Sequence, residues 1–360
     1  MKAISLFSGA GGDSWGLSSA GIQVVGFVEF EKSAIETHKK MMPFCKLIGT
    51  DITQITDEVF QEWEGKVDII FGGFPCQSFS HGGKKNADDK RGFLYQHFVR
   101  AARIIKPRFI IGENVEGLRK RKNSTGELFL DVIGREFKEI GYKLSTPYTF
   151  RSEDMGVPQL RRRIIIVGEI NKEPPVLDTS VFLGTYTPKY IKDILDDSIA
   201  GSLQIKNPDI IREMEKGDIN EIKDSIDDID DRQVDCNLLK CYTQHQPQKP
   251  KKDEKRCGFS WSKRCNPNYS EIVNLNGRAK TILCSYGRMP RMFVPIKFNN
   301  LYYIRSFSVH ELKQLQGFPI EFIFEGNRVK QVNQIGNAVP PPIAKEVGLQ
   351  LKTLVEKFED

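Results

Sequence analysis

The chain has 360 residues, 39% of them hydrophobic and 28% charged. This is the composition of a globular protein with a sizeable core, and it excludes a disordered or fibrous chain. The formal net charge of +6 is a mild basic excess, compatible with a polyanionic partner but too small to require one.

The first half alternates apolar runs at 3–7, 24–30, 67–71, 108–112 and 163–168 with amphipathic stretches at 33–40, 94–105 and 128–140. The runs are predicted strands and the stretches predicted helices. Such alternation predicts an α/β fold, a Rossmann-like doubly wound and mostly parallel sheet with helices on both faces. After about Asn171 the pattern decays into an acidic stretch, 189–232, and then a basic one, 240–265. So abrupt a shift predicts a second, smaller and irregular unit. Regular patterning returns near Gly277 and ends in a predicted helix over 342–358. The expected division is 1–188 for a catalytic, cofactor-binding domain, 189–322 for a target-recognition domain, and 323–360 returning to the first.

Seven cysteines are an odd number scattered over a long chain, which points to a reducing compartment. No signal-peptide pattern opens the sequence, and no apolar stretch nears the roughly 20 residues that span a bilayer. A soluble, cytoplasmic protein with no membrane partner is expected. Cys236, Cys241, His245, Cys257 and Cys265 lack a paired C-x-x-C, and no metal is expected there.

Four segments carry chemistry. Phe7-Ser8-Gly9-Ala10-Gly11-Gly12 follows the first strand and opens a helix. Its glycines let the backbone turn tightly and approach a ligand, although a plain turn would look the same. The next strand ends in Glu29, where a carboxylate can accept from ribose hydroxyls. Gly72-Gly73-Phe74-Pro75-Cys76-Gln77-Ser78-Phe79-Ser80 follows a strand too. Cysteines are commonly buried hydrophobes. Cys76 instead falls on the rim where open sheets hold ligands, and even a thiol near its free pKa of about 8.5 is a strong nucleophile. Glu113-Asn114-Val115 ends a further strand. It is either a surface acid or the partner of that nucleophile. In Gln159-Leu160-Arg161-Arg162-Arg163 the two-residue period puts Gln159, Arg161 and Arg163 on one face. A row of planar donors suits a base edge or phosphates; a solvated strand end is the plainer reading.

In this order and spacing the four segments resemble the DNA (cytosine-5) methyltransferase family, stand-alone restriction-modification type. Two later segments, Arg305 to Pro319 and Gln334-Ile335-Gly336-Asn337-Ala338-Val339-Pro340, are similar to that family's ninth and tenth blocks. The resemblance covers 1–168 and about 277–345. It implies methyl transfer from S-adenosyl-L-methionine to carbon 5 of cytosine in duplex DNA, giving S-adenosyl-L-homocysteine. Cys76 would attack carbon 6, Glu113 would manage the proton on ring nitrogen 3 with a raised pKa, and Asn114 would orient Glu113. Arg161 and Arg163 would hold the cytosine oxygen and the cysteine loop.

For the cofactor the resemblance implies Phe7, Gly9, Gly11 and Gly12 around the methionine and adenine parts, Glu29 on the ribose and Phe30 stacked on adenine. Asp51 and Ile52 would meet the adenine edge, and Phe74, Pro75 and Leu94 would complete the pocket. Asn337 and Ala338 would close it, which would set the terminal helix beside the first strand. Gln77, Ser80, Lys84, Lys85, Arg91, Gln159 and Thr281 would face DNA, with Lys90 and the basic run 249–264 adding phosphate contacts. The resemblance also implies a monomer of bacterial or viral type, with a cognate restriction endonuclease acting separately. Phe30 departs from relatives that carry tryptophan there.

A transfer-RNA cytosine methyltransferase is the nearest rival, but the Cys-Phe-Thr tripeptide usual in that branch does not occur. An inactive DNA-binding homologue would tend to lose the cysteine or the glutamate. A dinucleotide-dependent oxidoreductase explains neither Pro75-Cys76-Gln77 nor the arginine row. The DNA target cannot be read from the irregular middle.

Overall fold

The computed structural model describes residues 1–75, 94–123, 125–206, 208–223, 271–288 and 290–359. The first half forms β1 (Lys2–Leu6), α1 (Gly12–Ser19), β2 (Gln23–Val28), α2 (Lys32–Met41), β3 (Lys46–Gly49), α3 (Asp57–Gln61) and β4 (Ile69–Gly72). Then come α4 (Tyr95–Ile105), β5 (Phe109–Val115), α5 (Phe129–Glu139), β6 (Tyr142–Leu144), β7 (Tyr148–Arg151), β8 (Gln159–Leu160) and β9 (Arg162–Ile170).

The main sheet runs in the order β3-β2-β1-β4-β5-β9-β6, with β7 also on β9. From β3 to β5 every pairing is parallel, while β9 runs antiparallel to β5, β6 and β7. The run at 163–168 therefore reverses direction: the short β6 and β7, too brief to show a pattern in the sequence, bring the chain back along the sheet.

Alternate residues supply two cores, as the two-residue strand period requires. Ile4, Leu6, Ile70, Ile110 and Ile164 face α4 and α5, sharing a core with Phe98, Ala102, Ile105 and Phe137. Ala3, Ile69, Phe71, Phe109, Ile111, Ile165 and Val167 face the other way. In α4, Tyr95, Phe98, Val99, Ala102 and Ile105 form one buried stripe at helical spacing. Lys106 ends that helix in the left-handed conformation (φ 52°), and Pro107 cannot continue it.

The second half adds β10 (Leu203–Ile205), α6 (Pro208–Glu215), β11 (Asn220–Ile222), β12 (Glu271–Ile272), β13 (Ala279–Lys280), β14 (Met292–Phe298) and β15 (Leu301–Ser306). Three helices close the chain: α7 (Val309–Leu315), α8 (Arg328–Asn337) and α9 (Pro341–Glu359). A smaller sheet has the order β10-β15-β14-β11, with β12 also on β14. β14 and β15 are a hairpin whose turn residues, Asn299 and Asn300, both have positive φ, as a two-residue turn between right-twisted strands demands. Where β15 gives way to α7, buried Arg305 pairs with buried Glu311 at 2.6 Å. Ser308 caps the helix reciprocally with Glu311.

Two features join the halves. β13 pairs with β8 as a separate two-stranded ladder. α9 lies on α1, where Ile343, Ala344, Val347 and Leu351 share a core with Leu17 and with Ala3 of β1, the placement expected of the terminal helix. Among the described residues, no helix is long and apolar enough to cross a membrane.

Candidate active site

The chain leaves β1 and turns one way to β2 and β3, then returns to place β4 on the other side of β1. Such a switch point opens a crevice at the carboxyl ends of the two strands, where open α/β sheets bind ligands. The loop Phe7–Gly12 leaves β1 here, and Gly73-Phe74-Pro75 leaves β4 beside it.

Phe7, Gly9 and Gly11 all have positive φ (58°, 54° and 87°), so the loop winds tightly before α1. Gly9 N–H donates to Glu29 Oε2 at 2.8 Å, and Glu31 N–H donates to Glu29 Oε1 at 2.7 Å. Glu29 thus fastens the loop to the end of β2 while keeping lone pairs for a further donor. Burial raises its pKa. Next to it Phe30 is 77% exposed, a bare aromatic face at the crevice.

Asp51 Oδ1 accepts from Thr53 N–H at 2.9 Å and from its hydroxyl at 2.8 Å, fixing the turn after β3. Ile52 and Phe74 are buried, while Pro75 and Leu94 are half-buried. From the far end of the chain, a Cβ added to Gly12 would lie 2.2 Å from Val339 O and 3.4 Å from Ala338 Cβ. Only glycine permits that approach, which brings 338–339 against the loop. Asn337 is exposed.

Glu113 and Asn114 lie within β5, which runs three residues past its expected end. Arg163 Nε sits 2.8 Å from Glu113 Oε1. The other oxygen, Oε2, faces Gly73, at 3.6 Å from where a Cβ would stand. Burial raises the Glu113 pKa, against the lowering influence of Arg163 and Arg161. Burial likewise lowers that of Arg163, with Glu113 opposing.

Three expected roles are corrected. Asn114 does not orient Glu113: neighbours on a strand point to opposite faces, and Asn114 Nδ2 donates to Phe74 O at 3.2 Å, holding the segment that leads to Cys76. Gln159 does not face DNA. It is fully buried, donating to Leu315 O at 2.7 Å and Gln316 Oε1 at 2.8 Å and accepting from Ile282 N–H at 2.8 Å. Arg161, expected with Arg163 to hold the cytosine oxygen and the cysteine loop, holds other segments of the chain. Fully buried, it donates to the carbonyls of Gly336 and Ala338, each at 3.0 Å, and of Ile282 at 3.4 Å. Thr281 is half-buried, and its hydroxyl donates to Leu160 O at 2.8 Å.

Cys76, Gln77, Ser80, Lys84, Lys85, Lys90 and Arg91 lie outside the described residues, as do the run 249–264 and the five cysteine and histidine positions weighed for zinc.

Asp13 was missed. It is buried, accepts from the Ser5 hydroxyl, and keeps Oδ1 without a hydrogen-bond partner among the described residues. Burial pushes its pKa up to about 7, the Ser5 bond opposing and Glu113 adding to the rise. A carboxylate directly after Gly-Gly, in the first turn of a helix, is the signal that marks it.

Residues 1–353 match the family described as C-5 cytosine-specific DNA methylase. The chain belongs to that family. It is a DNA (cytosine-5) methyltransferase, transferring methyl groups to cytosine in DNA. Among its relatives, Type II methyltransferase M1.HphI of Haemophilus parahaemolyticus is 29% identical, with 96% of this chain and 85% of the relative covered. Type II methyltransferase M.NgoPII of Neisseria gonorrhoeae is 30% identical, with 99% and 97% covered. In fold the methyltransferase is similar to a putative DNA modification methyltransferase encoded within an E. coli prophage (TM-score 0.68, 23% identity, 99% of each chain). The S. pombe Dnmt2 methyltransferase is also similar (TM-score 0.63, 14% identity, 100% of each chain).

Proposed function

We propose that the methyltransferase works through a covalent adduct between Cys76 and carbon 6 of a cytosine extruded from duplex DNA. The observation that carries the reading is the Glu113 carboxyl, pinned by Arg163 and aimed at Gly73, three residues before Cys76. It brings an acid with a raised pKa to the segment that delivers a nucleophile.

The crevice fits S-adenosylmethionine. The glycine loop leaves room for a ligand backbone-close, Glu29 retains acceptor capacity for ribose hydroxyls, and the bare Phe30 ring offers a stacking face for adenine. Asp51, Ile52, Phe74, Pro75, Leu94, Asn337 and Ala338 would complete its walls. When bound there, the cofactor supplies an electrophilic methyl group on a sulfonium.

Carbon 5 of cytosine is a poor nucleophile within an aromatic ring. Addition of the Cys76 thiolate at carbon 6 breaks that aromaticity and gives carbon 5 enamine character. Glu113 supplies the proton that ring nitrogen 3 needs as charge develops, a task that suits a carboxyl whose pKa burial raises. Arg163 holds Glu113 in place, and Asn114 holds the backbone at Phe74 so that the cysteine loop departs in one direction. Loss of the carbon 5 proton to solvent water, return of the nitrogen 3 proton to Glu113 and departure of the thiolate restore the aromatic ring. The base must leave the duplex first, at a cost of a few kcal/mol.

In this reading the smaller sheet and residues 224–270 read the DNA target, Thr281 lies against the backbone, and Gln77, Ser80, Lys84, Lys85 and Arg91 close over the flipped nucleotide. A separate restriction endonuclease and a bacterial cytoplasm belong to the same reading, in keeping with relatives named Type II methyltransferases in bacteria.

The test is incubation of plasmid DNA with the protein and S-adenosylmethionine, then bisulfite sequencing, with transfer RNA treated in parallel. Protection of cytosine at every copy of one short DNA sequence is expected. Protection in the RNA alone would overturn the reading.

A further inference from the structure

Gln159, Gln316 and Arg161 are each fully buried, a costly place for two amides and a guanidinium unless they are hydrogen-bonded. The amides form a chain with a forced polarity. The backbone N–H of Ile282 can only donate, so it sets the Gln159 oxygen, at 2.8 Å. The Gln159 nitrogen must then face Gln316 Oε1, at 2.8 Å. This turns the Gln316 nitrogen onto the carbonyl of Ala338, at 2.7 Å. Neither amide can flip without setting donor against donor or acceptor against acceptor. Arg161 bridges the same two segments independently, from Ile282 O on one side to Gly336 O and Ala338 O on the other.

The ends of this relay belong to the two ligand sites. Ile282 adjoins Thr281, whose hydroxyl is tied to Leu160 O, on the side read here as facing DNA. Ala338 rests against Gly12 at the glycine loop. A shift of either segment therefore loads the other through two side chains in direct hydrogen-bond contact.

We propose that Gln159 and Gln316 are positioning residues that couple cofactor affinity to DNA affinity, a claim that rests on the functional reading above. Coupling between sites is reciprocal, and typical values change affinity about 5- to 150-fold. Closing 336–338 over the cofactor fixes Ile282 and presents Thr281 to DNA; DNA held at Thr281 in turn holds Ala338 shut.

The experiment measures S-adenosylhomocysteine binding to the full chain by calorimetry, with and without a duplex carrying the sequence that bisulfite reading identifies. In the wild type the duplex tightens binding about fivefold or more. Gln316→Met keeps the side-chain length and removes both amide bonds. It leaves affinity without DNA within about twofold and brings the ratio close to 1. Gln159→Met cuts the relay at its other end with the same result, so the loss of one variant to misfolding leaves the other to be read. A merely structural role would weaken both affinities together and keep the ratio, which overturns the proposal. A wild-type ratio near 1 in an active enzyme overturns it as well. Absence of S-adenosylhomocysteine binding in either condition overturns the functional reading, and the coupling falls with it.

Discussion

Glu113 and Arg163 are diagonal neighbours across an antiparallel pair: Glu113 stands opposite Ile165, two residues along β9 from Arg163, and Arg163 Nε reaches Glu113 Oε1 at 2.8 Å. Diagonal positions share a face and lie within reach of long side chains. The sheet register, and no flexible loop, therefore sets the position of the acid.

Glu113→Gln keeps the shape and removes the ionisable proton. Turnover is expected to fall about 10²- to 10⁴-fold, with S-adenosylhomocysteine affinity within about twofold of wild type. Single-turnover kinetics and calorimetry measure the two.

Arg163→Leu tests the electrostatics. Arg163 lowers the Glu113 pKa against the larger effect of burial, so its removal sends that pKa higher. Activity that needs protonated Glu113 is lost as pH rises through its pKa. The basic limb of the pH–rate profile in Arg163→Leu should therefore move to higher pH, on a lower plateau. A limb that moves down contradicts the assignment.

Asn114→Leu removes the only described side-chain hydrogen bond to Phe74 O. The expected result is a fall of about ten- to a hundredfold in kcat with a smaller loss of cofactor affinity, because the bond holds the backbone of Phe74, a cofactor wall, where the chain departs toward Cys76. A fall confined to cofactor affinity would contradict that role.

Asp13 makes stability depend on pH. Its folded pKa of about 7 exceeds the ordinary 3.8, so between those values the native state binds more protons than the unfolded one. Stability contributed by this group is full below pH 4 and falls as pH rises to 7, by at most about 4 kcal/mol. Urea titrations at pH 5 and pH 8 should show Asp13→Asn losing less stability across that interval than wild type. An equal or greater loss would contradict the assignment.

How far these relationships show in the sequence depends on distance along the chain. The strands, the glycine loop and the positions of Glu113 and Arg163 follow from local periodicity. So does the shared face of Gln159 and Arg161, whose neighbours Leu160 and Arg162 are exposed while they are buried. What local pattern could not show is that this face points inward. Its partners, Ile282, Leu315, Gly336 and Ala338, lie more than a hundred residues away, and polar side chains without visible partners look like surface. Asn114 was a different kind of miss: the strand period already places it opposite Glu113, once β5 is known to run to Val115.

The covalent step can be tested directly. In duplex DNA carrying 5-fluorocytosine at the methylated position, carbon 5 bears fluorine in place of the proton whose loss frees the enzyme, so the thiolate adduct cannot resolve. With S-adenosylmethionine present, the account predicts a protein–DNA adduct stable to denaturation, mapped by mass spectrometry to Cys76 and absent in Cys76→Ser. An adduct at another residue, or undiminished methylation by Cys76→Ser, would contradict it.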